Sequence, residues 1–387
     1  MHTPFDLLAV CAIVLIQSFM IQHILEAASH RLSPPAMRWV RPSLLALNVL
    51  MAVAFGLSFT FLARRFPLPS HASQIAGAIG QIWFFGSSAG YVAYRAVRFL
   101  AERTAPRAFS PARRRVLNVT GGALLAAPFA AVGYGALIER LDFHVRELDI
   151  PVPGLPAGLD GLRLLHLSDI HLSAFLSEQD LARVIDSANE LRPHLAFVTG
   201  DLITSVGDPL DACLRQVARL RADAGVLGCM GNHEAYAGVE DYLERAGARL
   251  GIPFLRRRTQ ALRFGDTVLN VAGVDYQRSD RPYLPHAERL LLPGAYNLLM
   301  SHNPDVFPVA ARQGYDLMLA GHTHGGQVTI EILNQSINAA RFFTPYVYGL
   351  FRQGKAAAYV TRGIGTIGIP ARIGAPPEIA LLRLRKA

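Results

Sequence analysis

Hydrophobic and polar positions follow two different rhythms along this chain. In its first part the apolar stretches are long: 7–25, 44–62, 75–94 and 116–138 each reach the roughly 20 residues of helix that a bilayer crossing needs. The last three contain no charged residue, whereas the first carries Gln17, Gln22 and His23. Gly86 and Gly90, four apart on the third stretch, would let another helix approach closely. Further on the runs become short, at 162–167, 195–198, 226–230, 268–271, 296–300 and 317–320, and amphipathic helical patterns at 178–191 and 208–222 separate several of them. Strands alternating with helices predict an α/β domain. Residues 356–361 and 378–384 read as further strands with no helix between them. The segment 149–154, with Pro151 and Pro153, reads as an extended linker. The expected organisation is therefore a membrane region over 1–148 with about four transmembrane helices, followed by an α/β domain over 149–387.

Charge sharpens the division. The formal net charge is +9, and residues 1–148 carry +8 of it, with fourteen Arg, no Lys and six acidic residues. The remainder is nearly neutral, with 24 basic against 23 acidic residues. A basic chain raises the question of nucleic acid, but here the surplus lies between apolar stretches, and nucleic acid is not an expected partner. Read as a topology signal, Arg31, Arg38 and Arg41 in one loop and seven arginines from Arg95 to Arg115 in another place both loops in the cytoplasm. The intervening loop has only Arg64 and Arg65, and the first six residues have no Lys or Arg. The expectation is a multi-pass protein of a bacterial inner or plasma membrane, with the domain over 149–387 on the extracytoplasmic side. The run Arg113-Arg114-Arg115-Val116-Leu117-Asn118 resembles a twin-arginine export signal, and no cleavable signal is expected at the amino terminus. Cys11, Cys213 and Cys229 form no metal-binding or redox pattern.

Candidate chemistry sits where the short runs end. Five signatures follow them in order: Asp169-Ile170-His171, Gly200-Asp201, Gly231-Asn232-His233-Glu234, Ser301-His302 and Gly321-His322-Thr323-His324. Asp169-Ile170-His171, Gly200-Asp201 or Ser301-His302 alone is commonly a turn or a cap, whereas the other two signatures are rarer. Together they bring carboxylates, imidazoles and an amide to the strand ends where open α/β sheets place their sites. Carboxylates can bridge two divalent ions, imidazoles suit zinc, iron or manganese, and Asn232 offers a neutral carbonyl oxygen. The eight other histidines, His166 and His194 among them, read as structural.

These signatures, with Gly325-Gly326-Gln327, Gly363-Ile364-Gly365, Arg372 and Pro377-Glu378, resemble the calcineurin-like metallophosphoesterase superfamily, in particular its bacterial membrane-associated branch, over residues 161–384. The resemblance implies a layered sandwich of mixed β-sheets flanked by helices. It implies that Asp169, His171 and His324 hold one metal ion, that Asn232, His302 and His322 hold a second, and that Asp201 bridges them. Two ions about 4 Å apart can clamp a phosphoryl group and generate the hydroxide that attacks it in line. By the same resemblance His233 is no ligand but a proton donor to the leaving group, a role suited to an imidazole. Glu234 is a candidate to orient it. Arg372 reads equally as a phosphate contact and as a surface or salt-bridge residue.

The expected function is thus a membrane-anchored metal-dependent phosphoesterase acting on a phosphate ester or diphosphate, with a lipid-linked phosphate among the candidate substrates. A sensor or transport-associated protein using this fold as a ligand-binding domain is the alternative. The few ionisable residues in the apolar stretches weigh against an ion pathway.

Overall fold

The computed structural model describes residues 4–57, 70–104, 111–278, 280–332 and 335–387. The chain forms two compact units, Met1–Gly135 and Ala136–Ala387. Helices α1 (Pro4–Ser29), α2 (Pro34–Gly56), α3 (Ser70–Thr104) and α4 (Pro111–Leu137) account for the described part of the first. Three windows, Cys11–Ser29, Pro34–Gly56 and Arg115–Leu141, are long and apolar enough to cross a membrane. The end of the second expected span, 58–62, lies outside the described residues.

The third expected span falls on α3 and is not among those three windows. Its interior carries small and polar residues that dilute its hydropathy, and the structure shows what they do. Gln17 on α1 donates to the hydroxyls of Ser87 and Ser88 at 2.7 and 2.9 Å. A Cβ on Gly80 would collide with the α2 backbone at Phe55, and one on Gly90 would stand 3.0 Å from the Leu125 carbonyl of α4. Small residues let these helices pack backbone to backbone.

The second unit is a layered α/β sandwich, as the resemblance implied. Its strands are β1 (His144–Val152), β2 (Arg163–Leu167), β3 (Leu195–Val198), β4 (Val226–Gly228), β5 (Arg258–Phe264), β6 (Thr267–Gly273), β7 (Tyr296–Met300), β8 (Leu317–Ala320), β9 (Thr329–Ile332), β10 (Gln335–Asn338), β11 (Gly349–Gln353), β12 (Ala356–Val360) and β13 (Glu378–Lys386). One mixed sheet runs β1-β13-β2-β3-β4 and the other β11-β12-β8-β7-β6-β5, while β9 and β10 form a separate antiparallel hairpin. Successive side chains leave a strand on opposite faces. Leu164, Phe197 and Leu227 accordingly join Leu298, Leu319 and Tyr359 in a core between the sheets. Leu165, Leu167, Ala196 and Val198 turn outward to helix α5 (Glu178–Glu190), and Leu299, Met318 and Ala320 to helix α9 (Phe307–Gln313). Strands buried on both faces explain why β2, β3, β7 and β8 are continuous apolar runs. Helices α6 (Leu210–Val217), α7 (Asn232–Ala237) and α8 (Glu240–Arg249) complete the unit.

The segment expected to be a linker is instead part of a strand. β1 runs parallel to β13 over its whole length, from His144 opposite Glu378 to Val152 opposite Lys386. It tolerates Pro151 because it is an edge strand, where a missing N–H need not break a ladder. Just before it, Leu141 and Phe143 pack on the α5 core, and Arg140 donates to the Phe175 carbonyl. A fragment beginning at Asp149 should therefore melt roughly 5 °C below one beginning at Ala136, the shift about 2 kcal/mol makes in a domain of this size. Thermal unfolding of the two fragments checks this, and equal melting temperatures would count against a structural role for 136–148.

Candidate metal centre

All the polar signatures sit just past the carboxyl ends of parallel strands: Asp169 and His171 after β2, Asp201 after β3, Asn232 and His233 opening α7 after β4, His302 after β7, and His322 and His324 after β8. Five of these residues hold left-handed backbone, with φ of 50° at Asp169, 48° at His171, 55° at Asp201, 75° at His322 and 51° at His324. Residues other than glycine rarely adopt that region, and such strain gathers at functional sites. The turns are tight enough to exclude a side chain where glycine stands: a Cβ on Gly231 would collide with the Asp201 carboxylate, and one on Gly321 with Ser168 and Asp169.

Three groups bring candidate ligand atoms within 4.8 Å of one another: Asp169 with His171 and His324, Asp201 with His302 and His322, and Asp201 again with His171 and His233. Asp201 thus belongs to two groups. His302 Nε2 lies 3.0 Å and His171 Nε2 3.5 Å from Asp201 Oδ2, and His324 Nε2 lies 3.4 Å from Asp169 Oδ1. Burial, then the neighbouring His233, pushes His171 down to about 3; burial and His302 push His322 down to about 4; burial and His171 hold His324 well below the usual imidazole range. Neutral imidazoles are the form that ligates. His302 goes the other way, to about 10: burial lowers it, but the carboxylates of Asp201 and Asp169 outweigh burial. Burial raises Asp169 to about 6, whereas the positive field of His302 and His233 overcomes burial at Asp201 and holds it well below the carboxylate range.

The surrounding contacts set the orientation of each ring. A carbonyl only accepts, so His302 donates Nδ1–H to Thr199 O at 2.6 Å and His233 donates Nδ1–H to Thr204 O at 2.5 Å, which fixes each ring by Nδ1 and leaves Nε2 as its other polar atom. The Thr204 hydroxyl also meets His171 Nδ1 at 3.2 Å, and Asp208 pins that loop by accepting from Thr204 N at 3.0 Å and Ser205 N at 2.8 Å. One threonine thus steadies two rings, a role with no signature in the sequence beyond its place three residues after Asp201. Partners of this kind are commonly worth 10–100-fold in metal affinity. Thr204→Val should weaken metal binding by about that factor with little loss of folding, which metal titration of the purified variant measures.

Glu234 does not orient His233. Its fully buried carboxylate accepts from the backbone N–H groups of Gly231, Asp201 and Leu202 at 2.8, 2.8 and 2.7 Å, tying the β3 and β4 loops together. Arg372 is neither a phosphate contact nor a surface or salt-bridge residue. It is fully buried and donates to the carbonyls of Gly365, Ala375, Arg362 and His324, so it holds the loops behind His324. Burial pushes its guanidinium down to about 10. His166 has the hydrogen-bonded core role expected of it, 2.8 Å from the Thr199 hydroxyl, and the His194 ring accepts from Arg163 N at 3.0 Å. Cys213 and Cys229 are free and buried.

The calcineurin-like phosphoesterase family profile matches residues 162–326. The chain is 30% identical to the uncharacterized metallophosphoesterase YkuE of Bacillus subtilis over 282 residues, which cover 70% of this chain and 97% of that protein. The chain belongs to the calcineurin-like metallophosphoesterases. It is also 32% identical, over 68% of its length, to a transmembrane protein with metallophosphoesterase domain from Danio rerio, of which it spans 62%. A metallophosphoesterase of Campylobacter jejuni is 29% identical over 62% of this chain and 63% of that protein.

Membership makes the chain a metal-dependent phosphoesterase, and its residues fit a divalent metal on their own chemistry. Among the described residues, His171 Nε2, His322 Nδ1, His324 Nδ1 and Asn232 Oδ1 are buried atoms with no hydrogen-bond partner, and His302 Nε2 faces only the Asp201 carboxylate. Buried polar atoms are normally paired, and so many orphans in one place fit a phosphoesterase whose cation completes them. Tyr276, which no motif pointed to, stands over this group with its ring centroid 5.7 Å from His322 and 6.2 Å from His302.

Proposed function

We propose that this phosphoesterase is membrane-anchored and hydrolyses a phosphate ester or diphosphate at the extracytoplasmic surface of the bilayer, with a lipid-linked phosphate as substrate class. Asp169, His171 and His324 would hold one divalent ion, Asn232, His302 and His322 a second, and Asp201 would span both. Manganese, iron and zinc all suit this mixture of carboxylate, imidazole and amide donors. Bound there, such ions supply Lewis-acid polarisation of the phosphoryl group and activation of water. His233, oriented by Thr204 through Nδ1, would deliver a proton from Nε2 to the departing oxygen. Its backbone N–H donates to Asp201 Oδ1 at 2.9 Å, which keeps donor and carboxylate in register.

The observation that carries this reading is the convergence of unpaired, buried ligand atoms around Asp201. Membrane anchoring draws on the three apolar helices, and orientation on the distribution of arginine. The test is hydrolysis of a chromogenic phosphodiester and monoester by the full chain in detergent, stripped of metal and then given manganese, zinc or iron. Activity should vanish on stripping and return with metal. Activity indifferent to metal would overturn the mechanism, and two bound ions without turnover of any phosphorylated substrate would favour the sensor reading.

A further inference from the structure

The loop after β6 brings to the metal centre a residue that the proposed chemistry leaves without a task. β6 runs parallel to β7, so its carboxyl end opens on the same edge as the candidate ligands, and Tyr276 stands three residues past it. Both chain neighbours of Tyr276 are anchored. The Asp275 carboxylate accepts from Arg256 Nε at 2.7 Å. The Gln277 carbonyl accepts at 2.8 Å from the amide of Asn303, the residue next to His302, and Gln277 Oε1 accepts from Leu284 N at 2.8 Å. The backbone beneath Tyr276 is therefore held, and its ring lies against His322 and His302, the histidines proposed for the second ion.

The far end of the side chain is held as well, because Tyr276 is hydrogen-bonded to Tyr236. Tyr236 lies three residues after His233 on α7, a spacing that puts the two on one helix face, and their ring centroids are 5.7 Å apart. The two tyrosines thus form one arch from the second-ion histidines to the proposed proton donor. The arch lies at the mouth of the centre: His302 is fully buried, Tyr276 is half-buried and Tyr236 is 50% exposed. Packing against two imidazoles asks only for a ring, so the hydroxyl of Tyr276 is the part that packing leaves unexplained. Burial, then Tyr236 and the Asp201 carboxylate, push that phenol up, so it stays a donor.

We propose that Tyr276 is a substrate-binding residue of this phosphoesterase, its phenol O–H donating to a phosphoryl oxygen, with Tyr236 as the positioning residue that directs the hydroxyl. The assignment rests on the two-ion reading given above, in which the phosphoryl group lies beside the second ion and its leaving group faces His233. In this arrangement Tyr236 donates to the Tyr276 oxygen, which leaves the Tyr276 proton for the substrate.

The test titrates the full chain in detergent, loaded with manganese, with inorganic phosphate by calorimetry, and follows hydrolysis of a chromogenic phosphodiester beside it. Tyr276→Phe keeps the ring on His302 and His322 and removes only the hydroxyl. It should weaken phosphate binding and raise KM by the same factor, about 10–100-fold, the worth of one hydrogen bond to a charged group. Its kcat, metal content and melting temperature should stay near those of the parent, as loss of a contact made equally in ground and transition states requires. Tyr236→Phe should shift phosphate affinity in the same direction but by less, since the Tyr276 proton remains and only its direction is lost. Phosphate held as tightly by Tyr276→Phe as by the parent would overturn the contact and leave metal-dependent hydrolysis standing. Loss of metal or a lowered melting temperature in Tyr276→Phe would overturn it in favour of a purely structural hydroxyl. A parent that binds phosphate through Tyr276 yet turns over no phosphorylated substrate would uphold the contact and overturn only the catalytic reading.

Discussion

His233→Ala is expected to slow hydrolysis of a substrate with an alkyl leaving group by roughly 10²–10⁴-fold in kcat, the range that positioned proton transfer contributes. For a nitrophenyl ester, whose leaving group departs without a proton, the loss should be far smaller. The contrast follows from geometry: the ring is fixed by Thr204 O, its backbone N–H is tied to Asp201, and neither contact needs the Nε2 atom. The variant keeps the Asp169, Asn232 and histidine atoms in place, so its metal content should match the parent. Equal losses for both leaving groups would rule out proton donation, and loss of metal would recast His233 as a ligand, a possibility that its grouping with His171 and Asp201 makes worth testing.

Asp201→Asn should be more severe. In the proposed centre Asp201 serves both ions, and it faces His302 at 3.0 Å and His171 at 3.5 Å. Replacing its charge with an amide removes the field that outweighs burial at His302 and places an N–H₂ donor among atoms that need a cation. We expect at least one ion to be lost and kcat to fall by about 10³-fold or more, since the Lewis-acid and water-activating functions fail together. Metal analysis of the variant beside its folded-state circular dichroism separates this from unfolding. A variant that keeps full metal content and activity would remove Asp201 from the bridging position.

The site was legible in the sequence because parallel strands buried on both faces are continuous apolar runs, so the polar residue that breaks each run marks a strand end. The runs ending at Leu167, Val198, Met300 and Ala320 each deliver a candidate ligand within four residues. What escaped is what such runs do not announce. β1 mixes exposed polar positions with Pro151, because only its far end is buried, and it reads as a linker. β5, exposed along most of its length, lacks the same signal. The tasks of Thr204, Glu234 and Arg372 depend on which backbone groups the fold brings to them, and no local pattern encodes that. In α3 the residues that lower its hydropathy, Ser87, Ser88 and its glycines, are those that hold the helices together, so composition and packing point in opposite directions there.

β13 lies between β1 and β2 in its sheet, although β1 and β2 come early in the unit and β13 comes after every other strand. For a nascent chain this order is a timing constraint. Among the described residues β1 has no strand neighbour other than β13, so until residues 378–386 emerge the sheet carries an open slot. Pairings so distant in sequence form slowly, because loop closure must be met before any contact rewards it. The emerging unit would therefore keep β1 and the facing edge of β2 unpaired until β13 inserts between them, an open edge that invites wrong pairing while it lasts.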